Sequence, residues 1–305
     1  MKLSRDSVVV GIDDSDSARE AAHFAVAHFA DAREIVLVAV IPDGARPVLP
    51  APGDVTTPYT GSLPAVQPAT PSEADRKKCE AMLDELRTQL EATREDSETT
   101  SAPIKTRVLA GDPAEQLAAL GDDAGLLVIG HHGADQEYAG RIGRTSRGLP
   151  GHSLCPVLIY RPGDTGDSVV VGMDTSEYSS VAALDAADFA VNAGLPLRVV
   201  VGVDPLGDSE RTHAQTELDL TWLRSEVPGL DVSVEYAQGP AAEVLVAASS
   251  NARLLVMGKR GLGLFAGMAV QLGRTASQVI EKVNSSLMLV SFRDDPRLAN
   301  RRIVD

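Results

Sequence analysis

The sequence predicts an α/β protein built from two tandem copies of a doubly wound, mainly parallel five-stranded sheet with helices on both faces. Two observations support this fold class. The chain is self-similar: residues 8–25, VVVGIDDSDSAREAAHFA, match residues 169–186, VVVGMDTSEYSSVAALDA, and residues 111–133 match residues 239–261. Within each copy, short β-branched runs alternate with segments of helical periodicity, which is typical of parallel strands joined by helices.

Each copy contains five apolar runs that we expect to be buried strands, because they are short, rich in Val, Ile and Leu, and bounded by polar or turn residues. In the first copy they are SVVVGI, EIVLVAV, IKTRVLA, LLVIG and PVLIY. In the second copy they are DSVVVGM, LRVVVGV, DVSVEYA, LLVMG and LMLVS. Ligands of such sheets bind at the carboxyl ends of the strands.

The segments between the strands carry helix signals. Ser15 and Ser176 are suited to cap the helix after the first strand of each copy, and Pro113 and Pro240 suit the first turn of a later helix. Pro150 lies within the last helix of the first copy, where proline costs about 3 kcal/mol, so we expect that helix to be short or broken. A further helix, beginning near residue 72, is indicated by an apolar stripe of Cys79, Met82, Leu83, Leu86 and Leu90.

Residues 42–71 have no counterpart in the second copy. This segment is rich in Pro, Gly and Thr, a composition that we expect to form a long surface loop and to extend neither a sheet nor a helix. Two hypotheses stay open for it: an insertion without a function, and a lid or partner-contacting segment.

The repeat sets the expected domain boundaries: a first domain over residues 1–163, a second over residues 164–293, and a C-terminal tail over residues 294–305. The last strands of the two domains are PVLIY and SLMLV. We expect the domains to pack through these strands as an internal pseudo-dimer, because pairing would cover sheet edges that otherwise stay exposed. A homodimer of whole chains is compatible with this arrangement.

Composition excludes several classes of partner. The formal net charge of −15 disfavours binding to nucleic acid or to an anionic membrane surface. No apolar run approaches the roughly 20 residues of a membrane span, and the N-terminus has no signal-peptide pattern. Cys79 and Cys155 have no metal-binding spacing, so we expect reduced thiols. These features predict a soluble, cytoplasmic protein without a metal site.

Paired glycines follow the fourth strand of the first copy, and a Gly-Arg-Thr triplet follows about a dozen residues later. Glycine lets backbone amides approach an anion, and a helix N-terminus adds unpaired N–H groups. This combination suits a phosphate chain, although the glycines could instead only form turns. The candidate residues are Gly130, Gly133, Gly143, Arg144 and Thr145.

The second copy repeats the pattern after its own fourth strand, and this repetition in the same strand–loop–helix context favours an anion site over simple turns. Its candidates are Met257, Gly258, Gly261, Gly273, Arg274 and Thr275. Asp13 and Asp174 lie two residues after strand-end glycines. Each carboxylate could accept a hydrogen bond from an adenine amino group or a ribose hydroxyl, or could cap the next helix, and both roles stay open.

At these residues the chain resembles the universal stress protein family in its tandem two-domain form, over nearly its whole length. The family's opening pattern, V-G-x-D-x-S-x-x-[SA]-x-x-A, corresponds to VGIDDSDSAREA and VGMDTSEYSSVA. Its nucleotide motif, G-x2-G-x9-G-[ST], is matched in glycine spacing by Gly130, Gly133 and Gly143. The family's C-terminal CPVLVV is similar to CPVLIY.

The resemblance implies a Rossmann-like fold of the adenine nucleotide alpha hydrolase type that binds adenine nucleotide. The implied ligands are ATP, with or without Mg²⁺, and alternatively AMP or cyclic AMP. The family's base contact carries over to Asp13 and Asp174, and its phosphate contacts carry over to the motif glycines and threonines named above. The implied function is that of a sensor or regulator in stress response, not of a dedicated enzyme.

The sequence departs from the family pattern in two places that bear on binding. Arg144 and Arg274 stand where the family has Ser or Thr, and an arginine there could either replace the hydroxyl by a charge-assisted contact or block the site. In the first copy, Asp135 and Glu137 lie in the motif loop, where two carboxylates oppose a triphosphate unless Mg²⁺ or solvent screens them.

The second copy differs from the first in its loop and its charge. The spacing between Gly261 and Gly273 is longer than that between Gly133 and Gly143 of the first copy. Lys259 and Arg260 of the second copy replace His131 and His132, and cations there favour an anion, so we expect the second copy to be the slightly better nucleotide site.

Two alternative functions follow from the same residues. An interaction module that has lost nucleotide binding would account for the departures. A slow ATP hydrolase would need a catalytic base or metal cluster, and the sequence assigns none. His131 and His132 do not predict a metal site. The side chains of adjacent residues generally point in different directions, and no third ligand lies at metal-binding spacing.

Overall fold

The computed structural model describes residues 3, 6–47, 66–69, 71–94, 102–133, 142–162, 166–203, 209–260 and 272–304. These residues form the predicted α/β fold. The first half contains β1 (Ser7–Ile12), α1 (Asp16–His28), β2 (Glu34–Ile41), β3 (Gly44–Pro47), β4 (Val66–Ala69), α2 (Glu73–Ala92), β5 (Ile104–Ala110), α3 (Pro113–Gly121), β6 (Leu126–Gly130), α4 (Arg144–His152) and β7 (Val157–Tyr160).

The described part of the second half repeats this order without counterparts of β3 and β4. It contains β8 (Val169–Met173), α5 (Glu177–Ala193), β9 (Leu197–Val203), α6 (Ser209–Glu226), β10 (Val232–Gln238), α7 (Ala241–Ala248), β11 (Leu254–Gly258), α8 (Arg274–Lys282) and β12 (Ser286–Val290), followed by a 3₁₀ turn over Pro296–Asn300.

A single ten-stranded sheet runs through both halves in the order β10-β9-β8-β11-β12-β7-β6-β1-β2-β5. Neighbouring strands within each half are parallel. The two halves meet where β12 pairs with β7 in antiparallel register, with Met288 opposite Leu158. The final strands therefore pair as the sequence predicted, and this removes one edge from each half-sheet.

The sheet separates two apolar layers, because alternate strand side chains point to opposite faces. Val8 and Val10 of β1 face a layer that contains helices α1, α2, α5 and α6. Val9 faces the other layer, which contains α3, α4, α7 and α8. The predicted stripe of α2 faces the first layer, with Leu83, Leu86 and Leu90 buried and Cys79 and Met82 packed against them. No helix within the described ranges is both long enough and apolar enough to cross a bilayer.

The helix starts follow the sequence signals. Ser15 accepts a hydrogen bond from Ala18 N–H, and Ser176 accepts one from Ser179 N–H, so both serines are N-caps. Pro113 occupies the first turn of α3, behind an Asp112 cap. Pro240 lies one position earlier than predicted, as the residue that precedes α7.

Two sequence predictions need correction. The segment 42–71 was expected to form no strand, but β3 and β4 pair antiparallel at its two ends, with Gly44 opposite Ala69. Helix α4 was expected to be short or broken, yet it spans nine residues, as does α8. Pro150 lies inside α4 and cannot donate the backbone hydrogen bond to Ser146 O, yet the helix continues to His152, so the expected break does not occur.

Charged and aromatic side chains cross between the halves beside the strand pair. Lys259, at the end of β11, is 7% exposed, and its Nζ donates to the carbonyl oxygens of Ser153 and Cys155 just after α4, each at 2.8 Å. On the other layer, Phe24 of α1 stacks on Phe189 of α5, with ring centroids 6.0 Å apart. Cys79 and Cys155 are free thiols.

The C-terminal segment, residues 291–304, docks along α5 and α6 through a ladder of arginines. Its deepest contact is a bidentate pair between Arg301 and Asp219, whose side chains are 5% and 1% exposed. Arg301 also donates to the carbonyl of Thr175, which has a left-handed φ of 65°. The ladder pairs Arg293, Arg297 and Arg301 with Asp185, Asp188 and Asp219 respectively.

Replacing Arg301 by Ala should lower the free energy of unfolding by about 3–5 kcal/mol, since it leaves the Asp219 carboxylate buried without its partner. Arg87→Ala is the matched control, because Arg87 pairs with Asp84 on the surface of α2 and such pairs contribute about 0–1 kcal/mol. Urea denaturation of the two variants measures the difference. Equal, small losses in both would show that the docked segment is not an integral part of the fold.

Burial lowers the pKa of Lys259 from 10.5 to about 8. Between these values the unfolded chain holds a proton that the folded chain has lost, so the contribution of Lys259 to the free energy of unfolding should rise with pH. The slope should approach about 1.4 kcal/mol per pH unit. Denaturation of the wild type and Lys259→Met from pH 7.5 to 10 measures this contribution by difference. A difference that stays flat or falls with pH would contradict the buried, cationic placement.

Candidate functional site

A cavity of about 830 Å³ opens at the carboxyl edge of the sheet in the first half. It lies between the ends of β1, β2 and β6, the first turn of α3 and the first turns of α4. Its volume falls within the range of small-molecule sites. The lining residues are Gly11, Ile12, Asp13, Ala18, Val38, Val40, Pro42, Pro113, Leu117, Ile129, Gly130, His132, Gly133, Ile142, Gly143, Arg144, Thr145, Ser146, Arg147 and Gly148.

All six first-half residues predicted from the sequence line this cavity. They come from three separate parts of the chain, and the sheet topology brings them together because β1 and β6 are neighbours. The six are Asp13, Gly130, Gly133, Gly143, Arg144 and Thr145.

Gly130 is required by close packing at the end of β6. A Cβ on this residue would lie 2.5 Å from Ser17 Oγ and 2.9 Å from the backbone nitrogen of Ala18. The strand end therefore touches the start of α1 directly. Gly130 accordingly acts as a packing residue, and the next residues of the loop carry the cavity wall.

Asp13 divides its two carboxylate oxygens between a turn and the cavity. One oxygen, Oδ1, accepts hydrogen bonds from the backbone N–H and the hydroxyl of Ser15. The other, Oδ2, would lie 2.7 Å from a Cβ on Gly133. The alternative considered from the sequence, that Asp13 caps the next helix, is wrong, because Ser15 is the N-cap and Asp13 Oδ1 only accepts from it. This arrangement leaves Oδ2 facing Gly133.

Helix α4 presents its N-terminus to the cavity. Gly143 is its N-cap and donates its own N–H to His131 O at 2.7 Å. No side chain among the described residues caps the helix, so the amides of the first turn, which includes Arg144 and Thr145, are available to an anion. A helix start of this kind is suited to hold a phosphate or carboxylate group.

Two arginines flank this N-terminus at the cavity mouth. The side chain of Arg144 is 97% exposed, and its Nη2 lies 3.9 Å from Asp112 Oδ2 at the start of α3. Arg147 forms a 3.2 Å ion pair with Glu281 of the second half. Exposed pairs of this kind are weak, so an anionic ligand could compete for the Arg144 guanidinium.

The adjacent histidines have different environments. His131 is buried, and desolvation, followed by the nearby His132 and Arg161, lowers its pKa to about 4, so its ring is neutral at pH 7. His132 lines the cavity. The two ring centroids lie 3.8 Å apart, so the expectation that these adjacent side chains diverge is wrong. Within the described ranges, no group of three His, Cys, Asp or Glu side chains could hold a metal ion.

The second half repeats the backbone frame of the site. Gly273 caps α8 with the same φ and ψ as Gly143, −64° and 159°, and donates its N–H to Lys259 O at 2.8 Å. Arg274 and Thr275 open α8, with Arg274 exposed. Asp174 accepts from the N–H and hydroxyl of Ser176, as Asp13 does from Ser15.

The remaining second-half candidates lie at the end of β11. Met257 is buried, as is its counterpart Ile129. A Cβ on Gly258 would lie 2.8 Å from Arg260 O and 3.3 Å from Tyr178 Cβ. Gly261 lies outside the described residues, as do Asp135 and Glu137 of the first half.

The expectation that Lys259 attracts an anion to the second half is wrong. Its ammonium group is buried against two carbonyl oxygens of the first half. The charge is therefore used at the contact between the halves, and it gives the second half no advantage in binding.

Several lining residues were missed from the sequence. Val38, Val40, Ile142 and Leu117 form an apolar wall; three of them lie in predicted strands or helices, where they look like ordinary core residues. Ser146 lies one residue beyond the Gly-Arg-Thr triplet, and its hydroxyl donates to Gly130 O at 2.7 Å. Its position directly after the Gly-Arg-Thr triplet, in the first turn of α4, could have indicated that Ser146 lies at the cavity.

Comparison with known proteins agrees with this fold. The Universal stress protein family profile matches residues 4–161 and again residues 167–291. The chain belongs to the universal stress protein family. Both matches include the loop that follows the fourth strand of the half-sheet.

Individual relatives are more distant. Universal stress protein Rv2624c of Mycobacterium tuberculosis is 31% identical over 139 residues, and this alignment covers 43% of the chain and 50% of that relative, so the chain spans about half of its length. Universal stress protein Rv2623 of the same organism is 27% identical over 292 residues, covering 89% of the chain and 93% of that relative. The crystal structure of a universal stress protein from Archaeoglobus fulgidus has a TM-score of 0.66 at 19% identity, covering 95% of this chain and 99% of that chain, which supports the fold.

Gly130→Ala should destabilise the fold by about 1–3 kcal/mol, because the added methyl group overlaps the backbone of α1. Gly148→Ala is the control: it lies inside α4, and an added Cβ there meets no atom within 4 Å. That variant should gain about 0.5–1 kcal/mol from helix propensity. Thermal denaturation compares the stability of the two variants with that of the wild type. A Gly130→Ala variant as stable as the wild type would show that β6 does not approach α1 as described.

Proposed function

We propose that this universal stress protein binds an adenine nucleotide, with ATP as the leading ligand, in the cavity of its first half. The observation that supports this most is the convergence on one cavity of the Asp13 carboxylate, the loop at Gly133 and the uncapped start of α4. A nucleotide needs these three elements: a hydrogen-bond acceptor for its base or ribose, space for close backbone approach, and donors for its phosphates.

The residues present fit such a ligand. The apolar wall of Val38, Val40 and Leu117 offers a surface for a base. At the other side, the first-turn amides of α4 and the Arg144 guanidinium offer positive charge to phosphates. Asp13 Oδ2 lies beside Gly133, so a side chain at position 133 would occupy the space next to it. When bound with ATP, Mg²⁺ would screen phosphate charge in this acidic protein.

We propose that nucleotide occupancy, not turnover, is the function, so that the chain acts as a sensor or regulator in stress response. Among the described residues that line the cavity, no hydroxyl is hydrogen-bonded to a histidine or a carboxylate; the buried His131 does bond to the Ser17 hydroxyl, but neither of these two residues lines the cavity. We further propose that residues 1–163 and 164–293 act as two domains of an internal pseudo-dimer. The antiparallel pairing of β7 and β12 supports this proposal.

Isothermal titration calorimetry with ATP, AMP and cyclic AMP, each with and without Mg²⁺, tests the proposal. We expect ATP to bind the wild type. Arg144→Ala should weaken binding about tenfold, the effect of losing one charge-assisted hydrogen bond. Gly133→Ala should weaken it by a similar factor, because its methyl group displaces the Asp13 carboxylate.

Gly202→Ala is the matched control, since an added Cβ in β9 of the second half meets no atom within 4 Å. Nucleotide released by heating the purified protein and identified by chromatography gives a second readout. Absence of both retained nucleotide and binding heat would reject nucleotide binding and favour an interaction module. Sustained phosphate release from ATP would favour the hydrolase instead.

A further inference from the structure

Three hydrogen bonds fix the start of the cavity loop to two different helices. The hydroxyl oxygen of Ser17, in α1, accepts from the His131 backbone N–H at 3.1 Å and lies 3.1 Å from His131 Nδ1. The Ser146 hydroxyl, in α4, donates to Gly130 O at 2.7 Å. Ser17, Ser146 and His131 are 3%, 4% and 8% exposed, so water competes little for these bonds.

These bonds act on the part of the loop that would contact phosphate. Residues 130 and 131 are held directly, and His132 and Gly133, which follow them, line the cavity. The His131 carbonyl also accepts the N–H of Gly143, the cap of α4. The loop start and the helix N-terminus are thus joined into one unit, whose amides keep a fixed spacing without a ligand.

The second half has none of the three polar groups in the corresponding positions. By the repeat alignment, Tyr178 replaces Ser17, Lys259 replaces His131 and Ala276 replaces Ser146. Ala276 has no hydroxyl, and Lys259 is bonded across to the first half. The ring of Tyr178 instead packs on Phe292, with centroids 5.3 Å apart.

The second-half loop that carries Asp174 also differs. Thr175 has a φ of 65°, and Arg301 of the docked C-terminal segment donates to its carbonyl. Its counterpart in the first half, Asp14, instead pairs with Arg19 on the surface of α1. The two halves therefore share a fold but hold their site loops by different interactions.

We propose that Ser17, His131 and Ser146 are positioning residues that preorganise the start of the phosphate-binding loop, residues 130–133, in the first half alone, so that each chain holds one nucleotide, in its first half. This inference rests on the proposed function. Preorganisation favours binding because a loop that is already ordered loses less conformational entropy when the ligand binds.

The state of the imidazole agrees with this role. Besides Ser17, the ring of His131 has a hydrogen bond with the backbone of Tyr160, and burial keeps the ring neutral. With Nδ1 beside the Ser17 hydroxyl, Nε2 is left to carry the proton and donate to the Tyr160 carbonyl. A neutral ring can then accept the Ser17 O–H while Ser17 Oγ accepts the His131 N–H.

Titration calorimetry of full-length Ser17→Ala and Ser146→Ala with ATP tests the inference. We expect one ATP per wild-type chain, and about tenfold weaker binding by each variant, the effect of a buried hydrogen bond that orders the loop. Ala276→Ser is the matched control in the second half and should bind ATP like the wild type. Melting curves without nucleotide verify that each variant is folded at the titration temperature.

A purely structural role would lower the melting temperature and leave the ATP dissociation constant unchanged, and that result would overturn the inference. Two nucleotides per wild-type chain would also overturn it. Nitrogen NMR of the imidazole adds an independent readout: Ser17→Ala should shift the His131 Nδ1 resonance, and an unmoved resonance would reject the role of Ser17. If the wild type binds no nucleotide, the proposed function itself fails. If the wild type binds nucleotide and the variants bind it equally well, only the inference about the positioning residues fails.

Discussion

The antiparallel pairing of β7 with β12 is the constraint on which the rest of the molecule depends. It turns two half-sheets into one sheet, and beside it Arg147 of α4 forms an ion pair with Glu281 of α8. There Lys259 reaches the carbonyl groups that follow α4, at the negative end of that helix. Because the other end of α4 forms the cavity wall, the contact between the halves also supports the site.

Duplication did not produce two equal halves. Both keep the glycine cap of the last helix with the same backbone angles, and both keep an aspartate that accepts from a capping serine. The side chains that surround this common frame have diverged, so that Lys259 serves the contact between halves while its counterpart His131 bonds to α1. Equivalent positions of a duplicated chain can thus make contacts within one half and between the halves.

Much of the fold and six residues that line the first-half cavity could be predicted from the sequence, because both depend on local patterns. The periodicity of apolar residues predicted the strands and helices, and the internal repeat predicted a second domain of the same fold. The orientation of Lys259 could not be predicted, since a lysine beside paired glycines looks like an anion ligand until the sheet pairing places a helix end within its reach. Ser17 and Ser146 were missed for a similar reason: each is an ordinary helix residue until β6 is brought between α1 and α4. The paired strands β3 and β4 lie in a Pro-rich segment whose composition indicated only a loop.

A crystal structure of the protein grown with ATP tests directly whether the first-half cavity is a nucleotide site. We expect nucleotide density in the first half, with the base or ribose beside Asp13 and phosphates at the start of α4. Density for ATP bound elsewhere, with this cavity filled by protein side chains, would contradict it.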